Sequence, residues 1–196
     1  MDQHIRGTNR HRYIYLIRHG DYERTDEVFG GVLTDRGVEQ ARCLIEPLSK
    51  IPVDAIYSST MNRAHQTAQI IAEGCHPELP VQRTPWLNER LLPGFPDREP
   101  NRPEYDRESR ETLDKVWARF FRPSRSERHD VLVCHGNIIR ALLMRAVGAP
   151  LEQWYFPSIA QCGITQLVSD KTDRTRLISF NERGHHHDVP RRRFLP

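Results

Sequence analysis

The 196-residue sequence has no long apolar run. None of its stretches approaches the roughly 20 apolar residues of a membrane-spanning helix. The basic start, MDQHIRGTNRHR, lacks the apolar core of a secretory signal. Cysteine is scarce, and Cys43, Cys75, Cys134 and Cys162 show neither CxxC nor zinc-ligand spacing. That excludes a disulfide scaffold and a zinc module, and it predicts reduced thiols in a reducing, cytoplasmic compartment. Net charge is small as well: 29 Lys and Arg against 26 Asp and Glu leave +3. The aromatics are not interleaved with basic runs, so no nucleic-acid partner is expected. Low-complexity segments, internal repeats and linkers are also missing, which predicts one domain over residues 1–196, with a core of about 12–182 and a polar tail at 183–196.

What is present is an alternation of strands and helices, which predicts an α/β chain with a mostly parallel central sheet. Tyr13–Ile17 reads as a buried strand. In LTDRGVEQARCLIEPL, Thr34 can cap a helix whose stripe is Val38, Ala41, Leu44, Ile45 and Leu48, ended or kinked by Pro47. VDAIYSS is a second strand, and TMNRAHQTAQIIAEG a helix capped by Ser59 or Thr60 and stopped near Gly74. Residues 88–103 break the rhythm with Pro93, Pro96, Pro100 and Pro103. A long, stiff loop of this kind is often functional, and residues 91–103 are expected to border the site and set specificity. A helix follows over Glu104–Phe121, then the strand DVLVCHG, a helix through NIIRALLMRAVG ending at Gly148, and a hairpin of GITQLVS and RLISF.

Three of these strands end on polar residues. YIYLIRHG leads to Arg18, His19 and Gly20; AIYSSTMNRA leads to a helix with Arg63 in its first turn; VLVCHGN leads to His135, Gly136 and Asn137. Ligands in open α/β sheets bind at the carboxyl ends of the strands, so these side chains are expected to converge. Arginine offers a planar fork matched to phosphate oxygens, and helix N-termini offer unpaired N–H groups. Two arginines and two imidazoles there predict phosphoryl transfer with histidine as nucleophile or base. Arg63 opposes the helix dipole at its position, which favours a ligand role over a surface one. Tyr22 is a candidate for the pocket border, and Ser58 and Ser59 read as helix caps.

LIRHG, LTDRGVEQA, IYSSTMNRAHQTA, LNER and VCHGNIIR come in the order of the motifs of the histidine phosphatase superfamily, which this chain resembles over about residues 13–180. RHGDY, CHGNIIR and PSIAQCGITQL resemble most its branch of mitochondrial phosphoglycerate-mutase-like serine/threonine protein phosphatases. The resemblance implies a three-layer α/β/α fold and a phosphatase that forms a phosphohistidine on His19 without metal or other cofactor. It implies that Arg18, Arg63 and His135 hold the phosphate. Gly136 and Asn137, at the helix start after His135, are substrate-binding candidates by position, Asn137 being equally suited to cap that helix. Glu89 would protonate the leaving oxygen and then activate water, although Asp97, Glu99 and Glu104 are further acids nearby. Asp21 and Thr25 stand where many mutases carry other residues, which argues against a mutase. The implied substrate is a phosphoserine or phosphothreonine protein; phosphohistidine proteins and small phosphate esters are the alternatives. The branch also makes a mitochondrial location the alternative to a cytoplasmic one, and a homodimer is compatible with the sequence.

Three rival readings compete. Cys134 and Arg140 have the spacing of cysteine-dependent phosphatases. The β-branched Ile138 and Ile139 between them suit a buried helix better than a phosphate cradle. A metal hydrolase would use His19, Asp21 and His135, but two arginines beside the site would repel a cation. A non-catalytic phospho-ligand binding module need not keep both histidines, both arginines and the acid, whereas this sequence has all five. His185, His186 and His187 are expected at the surface rather than on a metal, and Arg191–Arg193 in a solvated tail.

Overall fold

The computed structural model describes residues 10–25, 30–90, 103–172 and 174–186, with the side chains of 103–106 excepted. Most of the proline-rich segment, the basic run at 191–193, His187 and most of the expected tail lie outside the described residues. Along the chain run β1 (Arg12–Arg18), β2 (Tyr22–Glu23), β3 (Val32–Leu33), α1 (Asp35–Arg42), α2 (Ile45–Ser49), β4 (Ala55–Ser58), α3 (Asn62–Cys75) and β5 (Val81–Arg83). Then come α4 (Pro103–Phe120), β6 (Arg128–Cys134), α5 (Gly136–Ala146), β7 (Ile164–Ser169) and β8 (Thr175–Glu182). Six strands form one sheet in the order β5-β4-β6-β1-β7-β8. The first four are mutually parallel. β7 runs antiparallel to β1, and β8 to β7, which makes the expected hairpin.

Both faces of the sheet are covered, and that explains the near-continuous apolar run of β1. Ile14 and Leu16 pack with Leu132, Cys134 and the α4 and α5 residues Val116, Phe120, Ile138 and Leu142. Tyr15 and Ile17 point the other way, to Val131, Val133 and the helix residues Ala41, Leu48, Ala64, Ala68 and Ile71. The period of two along β1 and β6 thus feeds two separate cores, and the architecture is three-layer α/β/α.

Local chemistry sets the helix limits. Gly37 N donates to Thr34 Oγ1 over 3.1 Å, the predicted cap of α1. The break expected at Pro47 falls earlier, at Cys43–Leu44, with Pro47 inside α2. The cause is still Pro47, which has no N–H for the Cys43 carbonyl and crowds it, so the helix is interrupted four residues upstream. α3 begins at Asn62 behind Met61, and neither Ser59 nor Thr60 caps it as predicted. Their hydroxyls are both turned to Asn88 Oδ1 instead. α5 ends at Ala146, just before Gly148, whose φ of 67° is left-handed backbone that glycine adopts freely.

The register aligns the strand ends. Arg18 pairs with Cys134 across β1 and β6, and Ser58 with Val133 across β4 and β6. The ladder continues one residue further: His19 N donates to Cys134 O and Ser59 N to Val133 O, each over 3.0 Å. His19, Ser59 and His135 therefore leave the sheet side by side.

Candidate active site

Two glycines let the site close. A Cβ at Gly20 would stand 2.6 Å from Gly37 O, and one at Gly37 would stand 2.0 Å from Asp21 O. The loop after β1 and the first turn of α1 touch backbone to backbone, which is why RHG and DRG both carry glycine. Gly20 N donates to Thr67 Oγ1, and Asp21 N to Gln40 Oε1, so α3 and α1 both hold this loop.

His19 is 1% exposed. Its Nδ1 lies 2.8 Å from Gly20 O, a carbonyl that can only accept. Nδ1 therefore carries the hydrogen, and Nε2 presents a lone pair. That lone pair receives Arg63 Nε–H over 3.1 Å. Burial, with Arg18 and Arg63 adding to it against the Gly20 hydrogen bond, lowers the His19 pKa to about 3. The imidazole is thus neutral near pH 7, as a nucleophilic nitrogen must be.

Arg63, itself buried, also donates to Gly30 O over 2.9 Å, and its guanidinium carbon sits 4.4 Å from the Tyr22 ring centroid. Tyr22 meets the His19 ring edge-on at 5.1 Å, so it borders the site. Arg18 donates from one terminal nitrogen to Ile159 O over 2.6 Å, while its buried Nε has no hydrogen-bond partner. The rings of His19 and His135 are 5.0 Å apart. His135 is fully buried, and burial followed by the charges of its neighbours holds its pKa well below the usual value. Glu89 lies at the start of α5, where its Oε1 accepts from Asn137 N over 3.3 Å. Burial raises the Glu89 pKa, and Arg18 and Arg63 oppose the rise.

The structure thus brings together Arg18, His19, Arg63, Glu89, His135 and the start of α5, from four separate segments. A Cβ on Gly136 would be 3.7 Å from Arg18 Nε, an ordinary contact, so space alone does not demand glycine there. The Asn137 side chain is committed to Arg90 O and Arg140. Asp97 and Glu99, with the side chain of Glu104, lie outside the described residues.

The geometry weighs against the rival readings, as the sequence does, and corrects one surface expectation. Cys134 is fully buried in the α4–α5 core, and burial pushes its thiol pKa up, the reverse of an activated thiolate. Arg140 is turned away to Pro157 O and Asn137 Oδ1. Asp21 is engaged by Thr34 Oγ1 and Gln161 Nε2, which makes it a bracing carboxylate rather than a metal ligand. Thr25 accepts from Gly31 N. His186 is buried, not at the surface, because a turn in which its N–H donates to Arg183 O folds it back. His185 donates to Cys162 O. Two residues join the site that the sequence does not assign to it: Asn88, which collects Ser59 and Thr60, and Ser59, read there as a cap, which meets His135 Nε2 at 2.9 Å. Asn88 was available as the neighbour of Glu89 in LNER.

Paired imidazoles and arginines at the carboxyl edge of the sheet's parallel strands suit a phosphate-handling α/β protein. The chain belongs to the histidine phosphatase superfamily, branch 1, whose sequence profile matches residues 14–183. It is 33% identical over 183 residues to the mitochondrial serine/threonine-protein phosphatase Pgam5 of Caenorhabditis elegans, covering 89% of this chain and 64% of that protein. It is 32% identical over 195 residues to Pgam5 of Drosophila grimshawi, covering 94% and 67%. The chain thus spans about two thirds of the length of these relatives. Among solved structures, a phosphoglycerate mutase from Plasmodium falciparum matches with a TM-score of 0.63 at 29% identity, over 96% of this chain and 98% of that one. A mycobacterial glucosyl-3-phosphoglycerate phosphatase shares the fold, with a TM-score of 0.68 at 24% identity over 89% and 100%.

Proposed function

We propose that the chain hydrolyses phosphate monoesters through a phosphohistidine on His19. The observation that carries this reading is the neutral His19 ring with its Nε2 lone pair against Arg63, beside Arg18, His135 and a half-buried Glu89. Arg63 moves its N–H from Nε2 to a phosphoryl oxygen, and Arg18, His135 and the α5 N-terminus at Gly136 and Asn137 hold the remaining oxygens. The Nε2 lone pair then attacks phosphorus, the P–O ester bond breaks, and the leaving oxygen takes the Glu89 proton. In the second half, Glu89 carboxylate takes a proton from water, the hydroxide attacks phosphorus, and the N–P bond electrons return to Nε2. No step needs a metal.

The names of the relatives favour phosphoserine and phosphothreonine proteins as substrates, and mitochondria over the cytoplasm as the place to look. No described helix is long and apolar enough to cross a membrane. The domain is taken to span residues 1–196, and light scattering decides between monomer and homodimer. The test of function is turnover of p-nitrophenyl phosphate and of phosphoserine, phosphothreonine and phosphohistidine peptides. Hydrolysis of the first three is expected. Stoichiometric binding without turnover would instead indicate a phospho-ligand module.

A further inference from the structure

Asn88, Ser59 and His135 form a chain of hydrogen bonds whose direction can be read atom by atom. Asn88 Oδ1 lies 2.9 Å from Thr60 N. A backbone amide only donates, so the Asn88 atom there is the oxygen, which only accepts. Ser59 Oγ is 2.8 Å from that oxygen and gives it its single proton. Met61 N–H donates to Ser59 Oγ over 3.1 Å, and His135 Nε2 lies 2.9 Å from the same hydroxyl. A hydroxyl whose proton is committed can only accept from His135. Nε2 therefore carries the hydrogen, and in a neutral ring Nδ1 is a bare lone pair. Nδ1 is buried and meets no hydrogen-bond partner.

We infer that Asn88 and Ser59 are positioning residues that lock His135 in the Nε2–H tautomer, so that Nδ1 is the atom that gains a proton when a phosphoryl group enters. A phosphoryl oxygen facing a bare lone pair would be repelled. Uptake of one proton from solvent, or from the ester monoanion, turns Nδ1 into a donor and leaves the Nε2–H bond to Ser59 intact. The groups facing His135 are Arg18 and His19 from the end of β1 and Arg63 from α3, with Glu89 at the foot of α5. Burial and the two arginines disfavour charge on the empty ring, and a phosphate dianion reverses that balance. The consequence for catalysis rests on the phosphatase reading; the tautomer does not.

The experiment is nitrogen NMR on the full chain with 15N-labelled histidine, His135 being assigned by the signal lost in His135→Gln. At neutral pH, Nε2 should show a protonated-type shift and Nδ1 a bare-type shift. Saturation with inorganic phosphate or orthovanadate should make both protonated, and phosphate calorimetry in buffers of different ionisation enthalpy, at a mildly alkaline pH where the anion enters as the dianion, should show uptake of about one proton. Ser59→Ala, and independently Asn88→Ala, should release the tautomer toward Nδ1–H, reduce the uptake and lower kcat/KM about tenfold. Asn88→Asp keeps the acceptor oxygen and should restore Nε2–H. A wild-type ring protonated at Nδ1, or one unmoved in both alanine variants, would overturn the inference. A protein with the Nε2–H tautomer that binds neither anion would contradict the proposed function and leave the tautomer assignment standing.

Discussion

Arg63 Nε–H donates to His19 Nε2 over 3.1 Å, from a guanidinium also braced by Gly30 O and the Tyr22 ring. The arginine holds the nitrogen that we assign as nucleophile and keeps its like charge beside it. Arg63→Ala should raise the His19 pKa above about 3, because one of its depressing charges is gone. The same change should lower kcat about 10²–10³-fold, the scale of losing a preorganised donor to the transferring group. Arg63→Lys should rescue little, since a point charge cannot reproduce the fork. Histidine NMR titration with steady-state kinetics checks both, and a lower His19 pKa in Arg63→Ala would contradict the assignment.

Glu89 is raised by burial and restrained by Arg18 and Arg63. As leaving-group acid it must start protonated, so phosphorylation by an alkyl phosphate should slow as pH rises through its elevated pKa. Glu89→Gln should lower kcat/KM, which reports formation of the phosphoenzyme, by about 10²–10⁴-fold on a phosphoserine peptide and distinctly less on p-nitrophenyl phosphate, whose leaving group needs no proton. Equal losses on both substrates would remove Glu89 from the acid role.

Gly37 has no room for a side chain, since a Cβ would stand 2.0 Å from the Asp21 carbonyl oxygen. The contact is backbone against backbone, so relief requires moving α1 or the loop after β1. Gly37→Ala should destabilise by about 2–4 kcal/mol, with Tm lower by roughly 4–16 °C for a domain of this size. A thermal melt within 1–2 °C of wild type, on the order of zero change, would show that the loop yields freely.

Buried neutral histidines make the fold acid-sensitive. His19 is lowered to about 3 and His186 to about 4, against about 6.5 in an unfolded chain. Between these limits the unfolded chain binds protons that the folded chain refuses, so stability is fully present above about pH 6.5 and falls as pH drops toward 3. Replacing His19 by Gln should shallow the slope of Tm against pH between 7 and 4. An unchanged slope would mean that His19 is not buried neutral.

The sequence made the alternation of elements legible, because period-two strands and period-3.6 helices leave separable patterns. It also marked Arg18, His19, Arg63 and His135, since polar residues that end apolar strands need a reason. What stayed hidden depends on partners distant in the chain. Ser59 looks like a helix cap until Asn88, 29 positions away, claims its proton. The Cys134–Arg140 spacing resembles a phosphatase motif until the thiol is found in the apolar core. The helix break appeared upstream of Pro47 because proline disrupts a bond to the residue four before it.

The most direct test is to quench turnover of a radiolabelled phosphate ester and ask where the label sits. The account predicts acid-labile, alkali-stable phosphate on the peptide containing His19, absent in His19→Ala and retained in Cys134→Ala. Acid-stable label, or label on any other residue, would contradict it.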